Sequence, residues 1–153
     1  MTSEDAEERD EQRVRIARGF IAALPQAQEL GMQLEEVGEG MAAVAMDWDA
    51  RLVGDPETGV IHGGAVFTLM DTTCGAAVIS LPAAMAGTAT LDLRIDYMRA
   101  ATPGQRIRAR ATCYHVTRSV AFVRAVATDQ DEARPVATAT GAFTLQPLKE
   151  TST

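Results

Sequence analysis

Cysteine is scarce in this chain of 153 residues: Cys74 and Cys113 are the only two, and they form neither a CxxC pair nor a metal-ligand pattern. No disulfide framework and no zinc site are expected, and a reducing, cytoplasmic setting is. Excess positive charge is missing too, since the formal net charge is -7. Nucleic-acid binding needs a concentrated cationic surface to release counterions, so no nucleic-acid partner is expected, and no attraction to an anionic membrane either. The N-terminus is acidic where an export signal would be basic and then apolar. Nor is there an uninterrupted apolar run of membrane-spanning length, because the nearest candidate, Gly63 to Leu91, carries Asp71, Gly75, Pro82 and Gly87.

What is present is globular in character. Hydrophobic residues make up 46% and charged residues 23%, in a length that suits one compact core. The charges are unevenly spread. Glu4, Asp5, Glu7, Glu8, Asp10 and Glu11 crowd the start, whereas Arg94, Arg99, Arg106, Arg108, Arg110, Arg118, Arg124 and Arg134 fill the second half. Such arginines suit either a phosphate-bearing small molecule or a solvated outer sheet face.

Periodicity orders the elements. Val14, Ile16, Ala17, Phe20, Ile21 and Leu24 recur at helical spacing until Pro25 stops the run. Met32 to Val37 and Met41 to Trp48 read as a hairpin, and the stretch from Asp49 to Ile61, with Gly54, Pro56 and Gly59, reads as loop. Gly64 to Ser80 is apolar or small almost all round, the pattern of an enclosed helix. Four alternating strands follow, over about 89–98, 106–113, 119–128 and 135–145, with Pro103-Gly104 as a turn. Helix and strands are segregated along the chain, which is the α+β plan: a curved antiparallel sheet wrapped around the central helix. The expected division is an acidic helical extension at 1–30, a folded domain at 31–146 and a disordered tail at 147–153.

Asp71 is the only charged residue between Gly63 and Leu91. A carboxylate in an apolar helix is costly unless partners compensate, so it either hydrogen-bonds nearby backbone, Thr72 or Thr73, or meets substrate or water. Upstream, His62-Gly63-Gly64 ends where the helix begins, and free N–H groups there would suit a developing oxyanion. Gly63 and Asp71 are eight residues apart, about 12 Å along a helix. That is too far to share one reacting carbonyl, so both can serve one site only if two chains meet across a two-fold axis. His62 reads either as a cap or as a proton-transfer group.

The stretch His62-Gly63-Gly64-Ala65-Val66-Phe67-Thr68-Leu69-Met70-Asp71-Thr72 resembles the signature of hotdog-fold thioesterases of the phenylacetic-acid-degradation (PaaI-like) type. Thr88 to Arg99 looks like that family's characteristic strand, and the similarity covers roughly Gly31 to Leu145. The resemblance implies a hotdog fold, dimers with interface active sites that often pair into tetramers, and hydrolysis of acyl-CoA thioesters with no metal and no cofactor beyond the coenzyme A of the substrate. It places the acid on Asp71 as base or nucleophile, the oxyanion donor on the Gly63 N–H, and the water-steadying hydroxyl on Thr90, from the same chain as Asp71. Gly64, Phe67 and Met70 flank this place, and Arg99, Arg118 and Ser119 fall where relatives contact coenzyme A. One departure stands out. Many relatives carry Asn six residues before the His, and here that residue is Pro56; Thr58, another residue or backbone takes its part, or acyl preference and rate differ. The alternatives are a non-catalytic acyl-CoA binder, which has no need of an acid at Asp71, and a hotdog hydratase or dehydratase, for which neither His62 nor His115 supplies the usual motif.

Overall fold

The computed structural model describes residues 2–84 and 86–146, and the expected disordered tail at 147–153 lies outside the described residues. In chain order the elements are α1 (Ser3–Ala23), α2 (Pro25–Glu29), β1 (Met32–Gly38), β2 (Met41–Met46), β3 (Val53–Asp55), β4 (Val60–Ile61), α3 (Gly63–Ile79), β5 (Thr90–Tyr97), β6 (Ile107–Val116), β7 (Val120–Thr128) and β8 (Ala137–Thr144). Six strands form one antiparallel sheet in the order β1-β2-β6-β7-β8-β5, and β3 pairs with β4 in a small second sheet.

Local chemistry starts and stops these elements. α1 opens with a capping box, in which the Thr2 hydroxyl accepts from the Asp5 N–H at 3.2 Å and the Asp5 carboxylate accepts from the Thr2 N–H at 2.8 Å. Pro25 does end α1, but it also occupies the first turn of α2, where its missing N–H costs nothing. The segment expected as plain loop holds the short β3–β4 pair, joined by a turn in which the Asp55 carboxylate accepts from the Glu57 N–H and the Thr58 hydroxyl.

The core lies between α3 and the concave face of the sheet. Leu69, Met70, Cys74 and Val78 of α3 are fully buried against Val44, Ile107, Val123 and Phe143. Many inward positions are alanine, at Ala42, Ala109, Ala111, Ala121, Ala125, Ala127 and Ala137, and these small side chains let the sheet curve closely around the helix. Arg106, Arg108 and Arg110 point outward and pair with Glu35, Glu36 and Asp47, so for these three the solvated outer face is the structural outcome.

β5 is an edge strand with a register shift between Thr90 and Asp92. Opposite it sits Gly141, where an added Cβ would fall 2.6 Å from the Asp92 carbonyl oxygen. The bulge and the glycine set the two strands in close contact at the end of β5 that carries Thr90.

The β5–β6 connection is fastened by Arg99. Its guanidinium donates to both oxygens of Asp129, at 2.8 and 2.7 Å, and to the carbonyls of Ala100 and Arg134. Asp129 has no exposed side-chain surface and also accepts from the N–H groups of Thr102 and Asp131. Arg99 first, and then these backbone donors, hold its carboxyl well below the ordinary range. A depressed carboxylate stabilises the fold above its unfolded pKa near ~4 and loses that contribution as pH falls toward the native value. Thermal melts are therefore expected to drop as pH falls below about 4. Asp129→Ala is expected to lose about 3–5 kcal/mol at neutral pH and to show a shallower acid dependence, because it strands the Arg99 charge.

Candidate active site

α3 begins where β4 ends. The His62 N–H donates to the Leu52 carbonyl at 2.8 Å, and a Cβ on Gly54 would lie 2.8 Å from the His62 Cα, so the glycine lets β3 pass close beneath the residue that caps the helix. The His62 Nδ1 then accepts from the Gly64 N–H at 2.8 Å, and the His62 carbonyl accepts from Ala65 at 3.0 Å. This leaves the Gly63 N–H as a first-turn donor with no acceptor among the described residues. In this arrangement His62 uses its Nδ1 lone pair as a cap and presents only an Nε2–H.

A second clamp closes on the same turn. The Tyr97 hydroxyl donates to the Gly63 carbonyl at 2.8 Å, and its ring lies 3.4 Å from where a Gly63 Cβ would sit. Burial pushes the Tyr97 pKa up, which keeps the hydroxyl protonated as the donor. Beside this turn opens a cleft of about 280 Å³ lined by Gly63, Val66, Tyr97, Met98, Ala101 and Val136. No sequence signal links Tyr97 to the helix start, because the distance between β5 and α3 cannot be read from either segment alone.

Two turns along α3, Asp71 is half-buried. Its Oδ1 accepts from the Thr90 hydroxyl at 2.8 Å, whereas the Thr73 hydroxyl donates to the Leu69 carbonyl. Asp71 is thus bonded across to the strand, and the second oxygen is left for another donor. Gly63 and Asp71 lie on the same helix, about 12 Å apart along its axis. Cys74, three residues further, is fully buried, and burial followed by the Asp71 charge pushes its thiol far up, so it offers no thiolate beside the acid.

The remaining expected residues divide. Phe67, one turn before Asp71 on the same face, is 40% exposed. Met70 has no exposed surface, because a helical neighbour lies about 100° round the axis and here faces the sheet. The Arg99 guanidinium is engaged by Asp129 and two carbonyls. Arg118 and Ser119 sit in the exposed β6–β7 turn, at the end of the sheet near Thr90 and away from Tyr97 and Arg99. Among the described residues no three His, Cys, Asp or Glu side chains converge as metal ligands.

The family model described as Thioesterase superfamily matches residues 58–136, which include both ends of this site. A protein of Pseudomonas aeruginosa of known structure is 40% identical, with a TM-score of 0.79 over 88% of this chain and 99% of its own. A mutant of the phenylacetic acid degradation protein PaaI of Thermus thermophilus is 28% identical, with a TM-score of 0.71 over 80% of this chain and all (100%) of its own. The medium/long-chain acyl-CoA thioesterase YigI of Escherichia coli is 26% identical over 141 residues, 84% of this chain and 90% of that protein. The helix with His62-Gly63-Gly64 at its start and Asp71 within it, the antiparallel sheet around it and these matches agree: the chain has the hotdog fold and belongs to the thioesterase superfamily.

Proposed function

We propose that this protein hydrolyses acyl-CoA thioesters to a free acid and coenzyme A, in sites shared between two copies of the chain. The observation that carries the reading is the Thr90–Asp71 hydrogen bond, 2.8 Å long, on the strip of α3 that the sheet leaves open. Thr90 occupies one carboxylate oxygen and fixes the rotamer, so the other oxygen can accept a proton from water. The water oxygen then attacks the thioester carbon. The resulting oxyanion is held by a Gly63 N–H at the positive end of α3, the C–S bond breaks, and the thiolate leaves with coenzyme A. Direct attack by Asp71, through an anhydride that water then opens, uses the same geometry.

On this reading the two halves, about 12 Å apart along one helix, come from different chains: Asp71 and Thr90 from one, Gly63 from the other, flanked by its own His62 and Tyr97. The surface supports such a pairing. β5 is a free sheet edge, and Phe67, Leu91, Tyr97 and Met98 are 40%, 57%, 52% and 60% exposed along it and the adjoining helix. The acyl-CoA substrate is the one in the name of the Escherichia coli relative. Neither a resident metal nor a cofactor enters the scheme.

Thiol release from a panel of acyl-CoAs tests the reading. Asp71→Asn is expected to lose on the order of 10²–10⁴ in kcat with the dimer intact. Turnover equal to wild type would remove Asp71 from the chemistry, and tight acyl-CoA binding with no turnover by either protein would make this a binding protein. A second experiment mixes Asp71→Asn chains with Gly63→Pro chains. Proline suits a first helical position, and His62 at φ -57 and ψ 135 already has the backbone that precedes proline, so this change removes the N–H with little else. Each alone is expected to be inactive, and the equimolar mixture to recover about a quarter of wild-type activity, since half the dimers hold one intact site. No recovery would place the site within one chain. Finally, Tyr97→Phe is expected to lower kcat by up to about tenfold, with KM and melting temperature nearly unchanged; an unchanged kcat would reduce the Tyr97 hydroxyl to a packing contact.

A further inference from the structure

One turn beyond Asp71 on the same face of α3 is Gly75, roughly 6 Å further along the axis. It is buried, and the cover is not the sheet. A Cβ at Gly75 would meet the Phe20 ring, with Cζ at 3.0 Å and Cε1 at 3.3 Å, and then the Thr88 methyl at 4.0 Å. The Thr88 hydroxyl is turned away and donates to the Thr144 carbonyl at 2.8 Å, so only the methyl faces the helix. Thr88 lies two residues before Thr90, which bonds Asp71. Asp71 and Thr90 therefore form one rung, and Gly75 and Thr88 form the next, which is closed by the ring edge of Phe20 from α1.

The chemistry of the second rung is hydrocarbon. It presents a ring edge, a methyl group and a bare glycine Cα, with no donor for a phosphate or for a pantetheine amide. The apolar arm of a thioester is the one that fits here. Phe20 also lies outside residues 58–136, so the closure comes from the helical extension of this chain and not from the segment matched to the family.

We propose that Phe20 is a specificity-determining residue: its ring, seated over Gly75, forms the end wall of the acyl site and limits the length of the acyl chain accepted beside Asp71. The proposal rests on the thioesterase reading. Longer chains enter only by displacing the ring, which is one end of an exposed helix and can be removed without touching Asp71, Thr90 or Gly63.

The test is the chain-length profile, with kcat/KM measured by thiol release for straight-chain substrates from acetyl-CoA to palmitoyl-CoA on wild type, Phe20→Ala and Gly75→Ala. Phe20→Ala is expected to raise the long-to-short ratio of kcat/KM by about tenfold or more, the scale on which a pocket discriminates a methylene or two, and to leave the shortest substrates nearly unchanged. Gly75→Ala is expected to move the ratio the other way by narrowing the same space. Profiles parallel to wild type in both variants, including a uniform fall at every length, would overturn the end-wall role and leave the catalytic reading standing. If Phe20→Ala fails to fold by circular dichroism, Gly75→Ala decides by the same criterion. Absence of turnover on every acyl-CoA by wild type would instead sink the thioesterase reading, and the end wall with it.

Discussion

An α-helix that is apolar on every side has to be covered on every side, and one sheet can cover only part of it. That constraint organises this molecule. α3 lays Leu69, Met70, Cys74 and Val78 into the concave face of the sheet, and α1 covers Gly75 with Phe20. The strip from Phe67 to Asp71 is left partly open. A carboxylate on that strip keeps access to solvent or substrate while the neighbouring apolar helix lowers the local polarity. The same strip runs beside the free edge of β5, so the surface available to a second copy and the surface bearing the acid are continuous.

The start of α3 shows how few groups a backbone site requires when every other donor has been accounted for. A helix leaves its first N–H groups without intrahelical acceptors. Here Gly64 is satisfied by the His62 ring and Ala65 by the His62 carbonyl, and Tyr97 fixes the Gly63 carbonyl from the opposite side. The donor that remains, on Gly63, is aimed by its neighbours rather than by its own side chain. Glycine at 54 matters through proximity, since a Cβ there would fall 2.8 Å from the His62 Cα.

Much of this was legible in the sequence because it depends on short-range pattern. The all-round apolar run identified α3, strict alternation identified the long strands, and the spacing of Gly63 from Asp71 already set them about 12 Å apart along one helix. What was not legible is geometry that the local pattern does not encode. Arg99 looks like an available cation until Asp129, thirty residues on, is seen to occupy it. Met70 sits next to the acid in sequence yet points to the other side of the helix. Tyr97 and Phe20 reach α3 from elements whose approach no local pattern encodes. Leu91 alternates with Leu93 and Ile95 in sequence, but the register shift at Thr90–Asp92 leaves it 57% exposed, because a bulge breaks the alternation.

The departure at Pro56 bears on how the oxyanion is held. Many members of the resembling type have an asparagine at that place, and this chain contains none anywhere, so a second copy cannot supply one either. Thr58, the nearest hydroxyl, donates to Asp55 and holds the β3–β4 turn closed. In the proposed hydrolysis, polarisation of the thioester carbonyl would then fall to the Gly63 N–H and the positive end of α3, a donor fixed before substrate arrives and therefore free of reorganisation cost. With a single backbone donor in that role, the precision of its aim counts for more. In the proposed hydrolysis the His62 cap and the Tyr97 hydroxyl, which hold that turn from either side, would be the positioning groups for this donor.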